Sequence, residues 1–308
     1  MKFRSLQNST VLIDFNNQVW RNFHATEKQN LTNSDGINVG CIIGLVKVLN
    51  YSIKKCKDEG SAPNLVICED RYPIRKHKLY ENNQHVFKDY PTPVKYKGTR
   101  PKKKYAYNPI DICRQYVDCI PHIKIYMEEE EADDVIASFI SKNSNIPIHL
   151  YTTDRDLWQL LPKYKKLSII LDDGTEPNKT RLEKSFEKDV TFDKILLYKI
   201  IKGDSGDNVK SVNRFQFKKT KESFIRCDGT IEDYVRCIGE DFGTDSKEFN
   251  QLMDNFELIR LNLRLVKLKE NLKYTVESYP QPDINKWMKL CQVFETPSLM
   301  KTGLLKIF

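Results

Sequence analysis

The chain has 308 residues, 50 Lys and Arg against 42 Asp and Glu, and a hydrophobic content of 40%, which is typical of one large or two ordinary globular domains. Its eight cysteines show no C-x-x-C pair and no Cys/His ligand spacing, which argues against a disulfide scaffold or a zinc module and predicts reduced, buried thiols. No stretch approaches about 18 apolar residues and the first ten residues include no apolar segment, so we expect a cytoplasmic protein with no membrane contact.

The first half of the sequence alternates short apolar runs with helical patterns. The runs Thr10–Ile13, Leu65–Cys68, Ile148–Tyr151 and Leu167–Leu171 predict β-strands. Apolar residues recur at helical spacing over 40–57 and from Ala132 onward, which predicts helices there. Strands interleaved with helices indicate an α/β fold with a central, mostly parallel sheet flanked by helices.

Strand signals fade beyond about residue 190. The stretches 191–203, 231–239, 247–270 and 282–294 all predict helices. We therefore expect two domains, an α/β domain over residues 1–188 and a helical domain over residues 189–308.

Positive charge is concentrated in residues 71–105. This segment holds eleven basic and two acidic residues, a net charge of +9, while the other 273 residues sum to −1. Four prolines and the lack of a clean period predict an irregular segment, and six aromatic residues stand among the cations. Cations interleaved with aromatics are typical of single-strand binding, although a solvated loop has the same composition.

Acids stand at or just beyond the ends of three predicted strands. They are Asp14, the pair Glu69–Asp70, and Asp154. Because ligands of open α/β sheets bind beyond the carboxyl ends of the strands, we expect these acids to converge. A lone acid in this position is more often a helix cap, so the prediction depends on the three occurring together.

Three denser acidic clusters, EEEEADD, TTDRDLWQLL and KGDSGDN, also fall at predicted element ends, where acids can equally complement a helix dipole. The strand-end acids and these clusters together give nine candidate metal ligands: Asp14, Asp70, Glu131, Asp133, Asp134, Asp154, Asp156, Asp204 and Asp207. So many carboxylates cannot crowd together without cations, since like charges raise each other's pKa values. Oxygen ligands favour Mg²⁺, with Mn²⁺ as a substitute, and two such ions about 3.5–4 Å apart are a common device for phosphodiester cleavage.

Other catalytic classes fit the sequence poorly. It contains no G-x-S-x-G, H-E-x-x-H, G-x-x-x-x-G-K-[ST] or G-x-G-x-x-G motif. Its five histidines are scattered and form no evident triad. Metal-assisted cleavage by carboxylates is therefore the favoured chemistry.

The ordered motifs resemble one known family. VLIDFNN, VICED, YKGTR, EEADD, TTDRDLWQLL and KGDSGDN occur in the order used by the 5′-nucleases of the flap endonuclease and 5′→3′ exonuclease superfamily. They span residues 11–208, and the stretches KGDSGDNVKSV and SLMKTGLLKIF resemble the ribonuclease H subgroup of T-even-like bacteriophages. The resemblance implies a PIN/5′-nuclease-like fold in which residues 71–105 form an arch region beside the path of the 5′ strand.

The resemblance also implies roles for individual residues. All nine carboxylates would bind metal directly or through water, with Asp70 chosen over Glu69 because the C-x-D spacing of the subgroup matches it. Lys97 of YKGTR would lie near the scissile phosphate and Arg100 would hold phosphate beside it. The predicted catalytic residues are Lys97, Arg100, Asp133 and Asp154. The predicted nucleic-acid contacts are Arg75, Lys76, Lys78, Lys95, Tyr96, Lys97, Arg100, Lys102, Lys103, Lys104, Arg214, Lys218 and Lys219.

One stretch departs from the family pattern. Most members continue with G-V-x-G-I-G-x-K-[TS], a helix-hairpin-helix whose backbone amides grip duplex phosphates, whereas this chain reads SVNRFQFKKTKES. Ser211, Arg214 and Gln216 replace the glycines, and their Cβ atoms hinder a close backbone approach, which disfavours a K⁺ site at this turn. We expect the side chains of Arg214, Lys218 and Lys219 to contact phosphates instead.

The sequence thus predicts a Mg²⁺-dependent 5′→3′ exonuclease and flap endonuclease that acts on DNA and RNA–DNA duplexes with 5′ ends or flaps. The resemblance further implies a monomer that removes RNA primers in phage DNA replication, with a phage single-strand-binding protein as partner. Two alternatives stay open. One is a PIN-like endoribonuclease, which shares the acidic core but lacks the basic arch and the GDSGDN extension, and the other is a DNA-binding relative without catalytic activity.

Overall fold

A single sheet forms the centre of the protein. The structure, a computed structural model, describes residues 9–91, 93–100, 105–301 and 304. The strands in these residues are β1 (Thr10–Asp14), β2 (Asn64–Cys68), β3 (His122–Tyr126), β4 (Ile148–Tyr151), β5 (Leu167–Ile170) and β6 (Thr275–Tyr279). Their order across the sheet is β5-β4-β1-β2-β3-β6; the first five are parallel and β6 is antiparallel to β3. The predicted fold class is confirmed.

Helices cover both faces of this sheet. Within the described residues they are α1 (Phe15–Glu27), α2 (Gly40–Asp58), α3 (Ile74–Asn82), α4 (Pro109–Val117), α5 (Ala132–Lys142), α6 (Lys179–Ser185), α7 (Ile195–Lys202), α8 (Lys221–Arg226), α9 (Ile231–Phe242), α10 (Lys247–Asp254), α11 (Phe256–Val266) and α12 (Ile284–Val293). Four short 3-10 helices lie at 84–87, 156–160, 192–194 and 297–301.

Strand β1 is buried on both faces of the sheet, which accounts for its run of consecutive apolar residues. Leu12 packs into a core shared with α5, α7 and α9, whereas Val11 and Ile13 pack into a second core shared with α1, α2, α4 and α12. Parallel strands enclosed in this way need apolar side chains at every position, which is the pattern of TVLI. The sheet therefore holds its carboxyl ends in fixed positions between two packed layers.

Two strands were not predicted from the sequence, β3 and β6. In β6 the run TVESY is half polar and largely exposed, so it carries no buried-strand signal. It pairs with β3 from Tyr126↔Thr275 to His122↔Tyr279. Beyond it, Trp287 of α12 packs edge-on against Tyr116 at a centroid distance of 5.2 Å. Residues 275–293 thus pack on the α/β half, and the division at residue 188 stays a prediction.

The basic segment 71–105 is irregular only in part. Its first half contains α3 and the 3-10 helix at 84–87, which the sequence did not predict. Beyond Phe87, the described residues of the segment form turns and bends without a helix or strand, and residues 92 and 101–104 lie outside the described residues. The buried residues Tyr80, Phe87, Val94 and Tyr96 of the segment form a third core with Val209 of the loop after α7 and with Leu258, Leu261, Leu265 and Val266 of α11. The Tyr80 hydroxyl also donates to the Asn208 carbonyl at 2.9 Å. This arch segment is therefore bound to the C-terminal helices by packing.

The cysteine prediction is confirmed. All eight thiols are free and buried. Among the helices of the described residues, none combines the length and the apolar character that crossing a bilayer requires.

The third core gives a stability prediction. Phe87→Ala removes a fully buried ring and is expected to lower the free energy of unfolding by about 3–5 kcal/mol, as measured by urea denaturation. Tyr72→Ala is the matched control, since it removes a ring of the same segment that is 65% exposed and should change stability by less than about 0.5 kcal/mol. Equal effects of the two substitutions would contradict the packed arch segment.

Candidate active site

Carboxylates meet at the edge of the sheet where the parallel strands end. A cavity of about 860 Å³ there is lined by five of the nine predicted ligands and by both predicted phosphate-binding residues. They are Asp14, Asp70, Glu131, Asp133, Asp154, Lys97 and Arg100. The expected convergence of strand-end acids on one site is therefore seen in the structure.

Hydrogen bonds from neighbouring loops hold these carboxylates in place. Asp14, the last residue of β1, accepts from the Thr152 hydroxyl at 2.8 Å. Asp70 accepts from the backbone amide of Ala132 at 2.7 Å, which joins the end of β2 to the start of α5. Asp154 accepts from the amide two residues further along the chain at 2.8 Å. Asp14 and Asp70 are thus each hydrogen-bonded to a distant segment, and Asp154 to the first residue of the 3-10 helix at 156–160.

Two asparagines next to Asp14 were missed as site residues. The Asn16 side chain accepts from the Asp70 amide at 3.3 Å, and the Asn17 side chain accepts from the Thr153 amide at 3.0 Å. Both line the cavity. They belong to the VLIDFNN motif, so the motif contained the signal, but only the fold shows that they connect the loops after β1, β2 and β4.

The carboxylates of this cavity crowd one another. Burial, followed by the charges of Asp70 and Asp154, raises the pKa of Asp14 well above its usual range. Burial and the charges of Asp154 and Asp14 do the same to the pKa of Asp133. No Lys or Arg of the described residues forms an ion pair with Asp14, Asp70, Asp133 or Asp154. None of these four therefore has an ion-pair partner in the described part of the chain, and the charge of Lys97 acts on Asp70 and Asp154 only from a greater distance.

Glu131 differs from its neighbours because two ammonium groups hold it. It forms ion pairs with Lys97 and with Lys76, the latter at 2.5 Å. Burial alone would raise the pKa of Glu131, but Lys76 and Lys97 outweigh it and lower that pKa to about 2. Glu131 consequently stays ionised and fixes the Lys97 side chain at the cavity wall.

The YKGTR motif is attached to the GDSGDN loop. The Arg100 guanidinium bonds the Asp207 carboxylate at 2.6 Å and the Gly206 carbonyl at 3.0 Å. The Lys97 amide donates to the Asp207 carbonyl at 2.9 Å, and Lys97 itself has a left-handed φ of 51°. Asp207 therefore orients the two residues predicted to bind phosphate.

A second carboxylate cluster lies beside the first. Asp154, Asp156 and Asp204 line a cavity of about 450 Å³, and Asp154 lines both cavities. The ammonium of Lys199 pairs with Asp156 and with Asp204, the latter at 2.5 Å. Lys199 was missed in the sequence; its signal is a single cation within the apolar run ILLYKII.

Comparison with known proteins shows the family of this chain. The family model for the 5′-3′ exonuclease N-terminal resolvase-like domain matches residues 9–191. The chain belongs to this exonuclease family. DNA polymerase I of Borreliella burgdorferi is 30% identical over 277 residues, which are 85% of this chain and 27% of that protein. The thermostable DNA polymerase I of Thermus aquaticus is 24% identical over 96% of this chain and 33% of its own length. The chain spans about a third or less of these relatives.

Solved structures share the exonuclease fold. The bacteriophage T5 D15 protein co-crystallised with metal ions superposes with a TM-score of 0.54 at 15% identity, over 97% of this chain and 98% of that chain. The T5 5′-exonuclease with bound zinc superposes with a TM-score of 0.55 at 14% identity, over the same shares of the two chains. At this level of identity the match shows the fold.

Among the predicted ligands of this exonuclease-family chain, Asp134 needs correction. It is 1% exposed and lines neither of the cavities described above. Its carboxylate accepts a hydrogen bond from the Lys269 amide at 2.9 Å. The ammonium groups of Lys76 and Lys269 lie 3.6 and 3.9 Å from it. Asp133 and Asp134 are consecutive residues of a helix and point in different directions, so only Asp133 reaches the cavity. Asp134 instead ties α5 to the segment after α11.

Two predicted nucleic-acid contacts are also wrong. Lys76 is 6% exposed and neutralises Glu131 and Asp134, so it cannot reach a phosphate. Tyr96 is 2% exposed and donates from its hydroxyl to Glu131 and Asp207, so its ring is closed to bases. Other predicted contacts lie at the surface: Arg75, Lys78, Lys95, Arg100, Arg214, Lys218 and Lys219. Lys102, Lys103 and Lys104 lie outside the described residues.

The donor set fits divalent cations in its chemistry. As they stand, no three His, Cys, Asp or Glu side chains of the described residues form a preformed metal-holding group. The first cavity nevertheless presents four carboxylates without ion-pair partners in the described ranges, of which Asp14 is buried and Asp70, Asp133 and Asp154 are part-buried. Hard oxygen donors of this kind suit Mg²⁺ or Mn²⁺.

Neighbouring substitutions on α5 test the charge balance. In metal-free protein, Asp133→Asn removes one of four mutually repelling carboxylates and should raise Tm, by about 2–4 °C for each kcal/mol of repulsion relieved. The gain should grow with pH, because at low pH the folded protein protonates Asp133, whose pKa is raised, and the repulsion is already reduced.

Asp134→Asn is the matched control, one residue further along the same turn. It leaves the ammonium groups of Lys76 and Lys269 without their full counter-charge and should destabilise the protein by on the order of 3 kcal/mol. Differential scanning fluorimetry in EDTA measures both variants. Shifts of the same sign would contradict the different environments assigned to the two acids.

Proposed function

We propose that the protein is a Mg²⁺-dependent 5′→3′ exonuclease and flap endonuclease. The observation that carries the proposal is the first cavity, where Asp14, Asp70, Asp133 and Asp154 lack counter-ions beside the cationic side chain of Lys97. Such a site repels a nucleic-acid backbone until its carboxylates are neutralised. Because the chain belongs to the exonuclease family, the reaction that we propose for this site is phosphodiester hydrolysis.

Two divalent ions would have separate residues to hold them. Asp14, Asp70, Asp133 and Asp154 would hold one, with Glu131 reaching it directly or through water. Asp154, Asp156 and Asp204 would hold the other, with Asp207 acting through water. When bound, Mg²⁺ or Mn²⁺ would neutralise these carboxylates and supply Lewis-acid assistance to hydrolysis. The T5 proteins of similar fold were crystallised with metal ions, which supports the proposal.

The chain's own cations would bind and orient the scissile phosphate. Lys97, fixed by Glu131, offers its ammonium from the cavity wall, and Arg100, fixed by Asp207, offers a guanidinium whose side chain is 55% exposed. Preorganised charges of this kind stabilise negative charge that develops on the phosphate. Their attachment to two different loops sets the distance between them before a substrate arrives.

The substrate we propose is a DNA or RNA–DNA duplex with a 5′ end or flap. Exposed cations of the arch segment, Arg75, Lys78 and Lys95, would follow the 5′ strand, and Arg214, Lys218 and Lys219 would contact duplex phosphates. The T5 D15 flap endonuclease has been crystallised in a pseudo-enzyme–product complex with DNA and metal ions. Removal of RNA primers by a cytoplasmic monomer during phage replication, with a single-strand-binding protein as partner, belongs to the same proposal.

A 5′-labelled primer–template duplex tests the function. Incubation with Mg²⁺ should release short labelled products, and EDTA or Asp70→Asn should abolish them. Cleavage confined to internal positions of single-stranded RNA would favour the PIN-like endoribonuclease. Duplex binding without any product at all would favour the inactive DNA-binding relative.

Lys97 gives a sharper prediction. Lys97→Ala should lower kcat by about 10²–10³-fold and change the Kd for a flap substrate far less, because its charge acts mainly on the transition state. Lys163→Ala is the control, since Lys163 pairs with Glu270 and lines neither cavity. Single-turnover cleavage and fluorescence anisotropy separate the two quantities. Equal losses in rate and affinity would make Lys97 a phosphate anchor only.

A further inference from the structure

Lys199 occupies the second carboxylate cluster. It projects from α7, is 6% exposed, and its ammonium pairs with Asp156 and Asp204 in the cavity that Asp154 also lines. The cation thus lies among the oxygens that would hold a second divalent ion.

In the first cluster, Asp14, Asp70 and Asp133 have no such cation among the described residues. Lys97 lines the first cavity, but its ammonium pairs with Glu131 and Asp207 rather than with Asp14, Asp70 or Asp133. The two clusters are adjacent and share Asp154. In the first, the cations Lys76 and Lys97 pair with Glu131, whereas in the second one buried ammonium pairs with both Asp156 and Asp204. A divalent ion entering the first cluster meets carboxylates without ion-pair partners in the part of the chain that the structure describes, whereas one entering the second must compete with an ammonium.

The acids of the second cluster have little freedom to move away from Lys199. Asp204 belongs to a turn closed by an antiparallel bridge to Val209. Gly203, with a φ of 72°, packs so closely that a Cβ would lie 2.4 Å from the Val209 carbonyl. The backbone of α7 is equally fixed, since Ile195, Leu197 and Ile200 are buried in the core. The flexible Lys199 side chain is therefore the part that must move when a second ion binds.

We propose that Lys199 is the resident cation of the second cluster, so that the protein binds one divalent ion readily and a second only when the Lys199 ammonium withdraws. This inference rests on the proposed function and deepens it. A substrate phosphate in the cavity is the natural new partner for the displaced ammonium. Lys199 thereby makes binding of the second divalent ion depend on the presence of a nucleic-acid phosphate.

Mn²⁺ binding to the full chain without nucleic acid tests the proposal, with free Mn²⁺ measured by electron paramagnetic resonance. The wild-type chain should bind one ion at least about tenfold more tightly than the second, and Lys199→Met should tighten the second by about tenfold or more, because it removes the competing charge. Lys199→Arg keeps the charge and should bind like the wild type. Two equal sites in the wild type, or an unchanged second site in Lys199→Met, would overturn the inference.

Asp133→Asn separates this inference from the proposed function. Suppose that Asp133→Asn loses the tightly bound ion while Lys199→Met binds the second ion with unchanged affinity. This result would refute the role of Lys199 but not the proposed metal dependence. Unaltered Mn²⁺ binding in both variants would refute the proposed metal dependence as well.

The wild-type chain provides a measurement that does not depend on the folding of a variant. Acetylation of lysines, read by mass spectrometry, should increase at Lys199 at the Mn²⁺ concentrations that fill the second site, because the withdrawn ammonium becomes accessible. Lys163, remote from both cavities, should keep a constant reactivity. A Lys199 reactivity that stays constant through saturation would show that the second ion enters without displacing it, and the proposal would fail.

Discussion

Repulsion between the carboxylates at the edge of the sheet is the constraint on which the rest of this structure depends. Parallel strands place their carboxyl ends at one edge of the sheet, so the acids after β1, β2 and β4 are forced together. Like charges held this close together oppose folding. This repulsion must be offset by the stability of the two packed layers. The hydrogen bonds from Thr152 and from the Ala132 amide also help to hold the carboxylates in place. The site is thus formed at the expense of the stability of the fold that carries it.

The arch segment shows how the phosphate-binding residues share in this rigidity. Lys97 and Arg100 follow directly on Val94 and Tyr96, which are buried in a core with α11. Their side chains end on Glu131 and Asp207, which belong to different halves of the chain. Polar residues that function on a packed segment keep their geometry better than residues on a free loop. The nuclease half and the C-terminal helices are therefore coupled through the residues that bind phosphate.

The sequence predicted the elements whose signals are local. Buried strands such as β1 and β4 are continuous apolar runs, and α2 and α5 keep their apolar residues at helical spacing, so periodicity alone identifies them. The strand β6 is recognisable only through its pairing with β3, because half of it is polar and exposed. In α3, cations that serve as buried counter-ions, such as Lys76, erase the amphipathic pattern.

The candidate site, too, could be predicted from the sequence only in part. Strand-end placement correctly brought Asp14, Asp70 and Asp154 to one cavity, since a parallel sheet leaves them no alternative. Adjacent acids cannot be distinguished by spacing, and only the rotation of α5 shows that Asp133 enters the cavity while Asp134 does not. Lys199 could not be assigned from sequence, because a lone Lys in an apolar run gives no indication of the carboxylates that it meets from distant loops.

The antiparallel pairing of β6 has a consequence for how the protein is made. Tyr126 of β3 and Glu277 of β6 are hydrogen-bonded across 151 residues of sequence. A chain that emerges from the ribosome N-terminus first must leave the outer edge of β3 unpaired until residues 275–279 have been synthesised. Unpaired strand edges are templates for association with other chains. During synthesis the nascent protein therefore passes through a stage in which its sheet is open to intermolecular pairing, and β6 ends that stage.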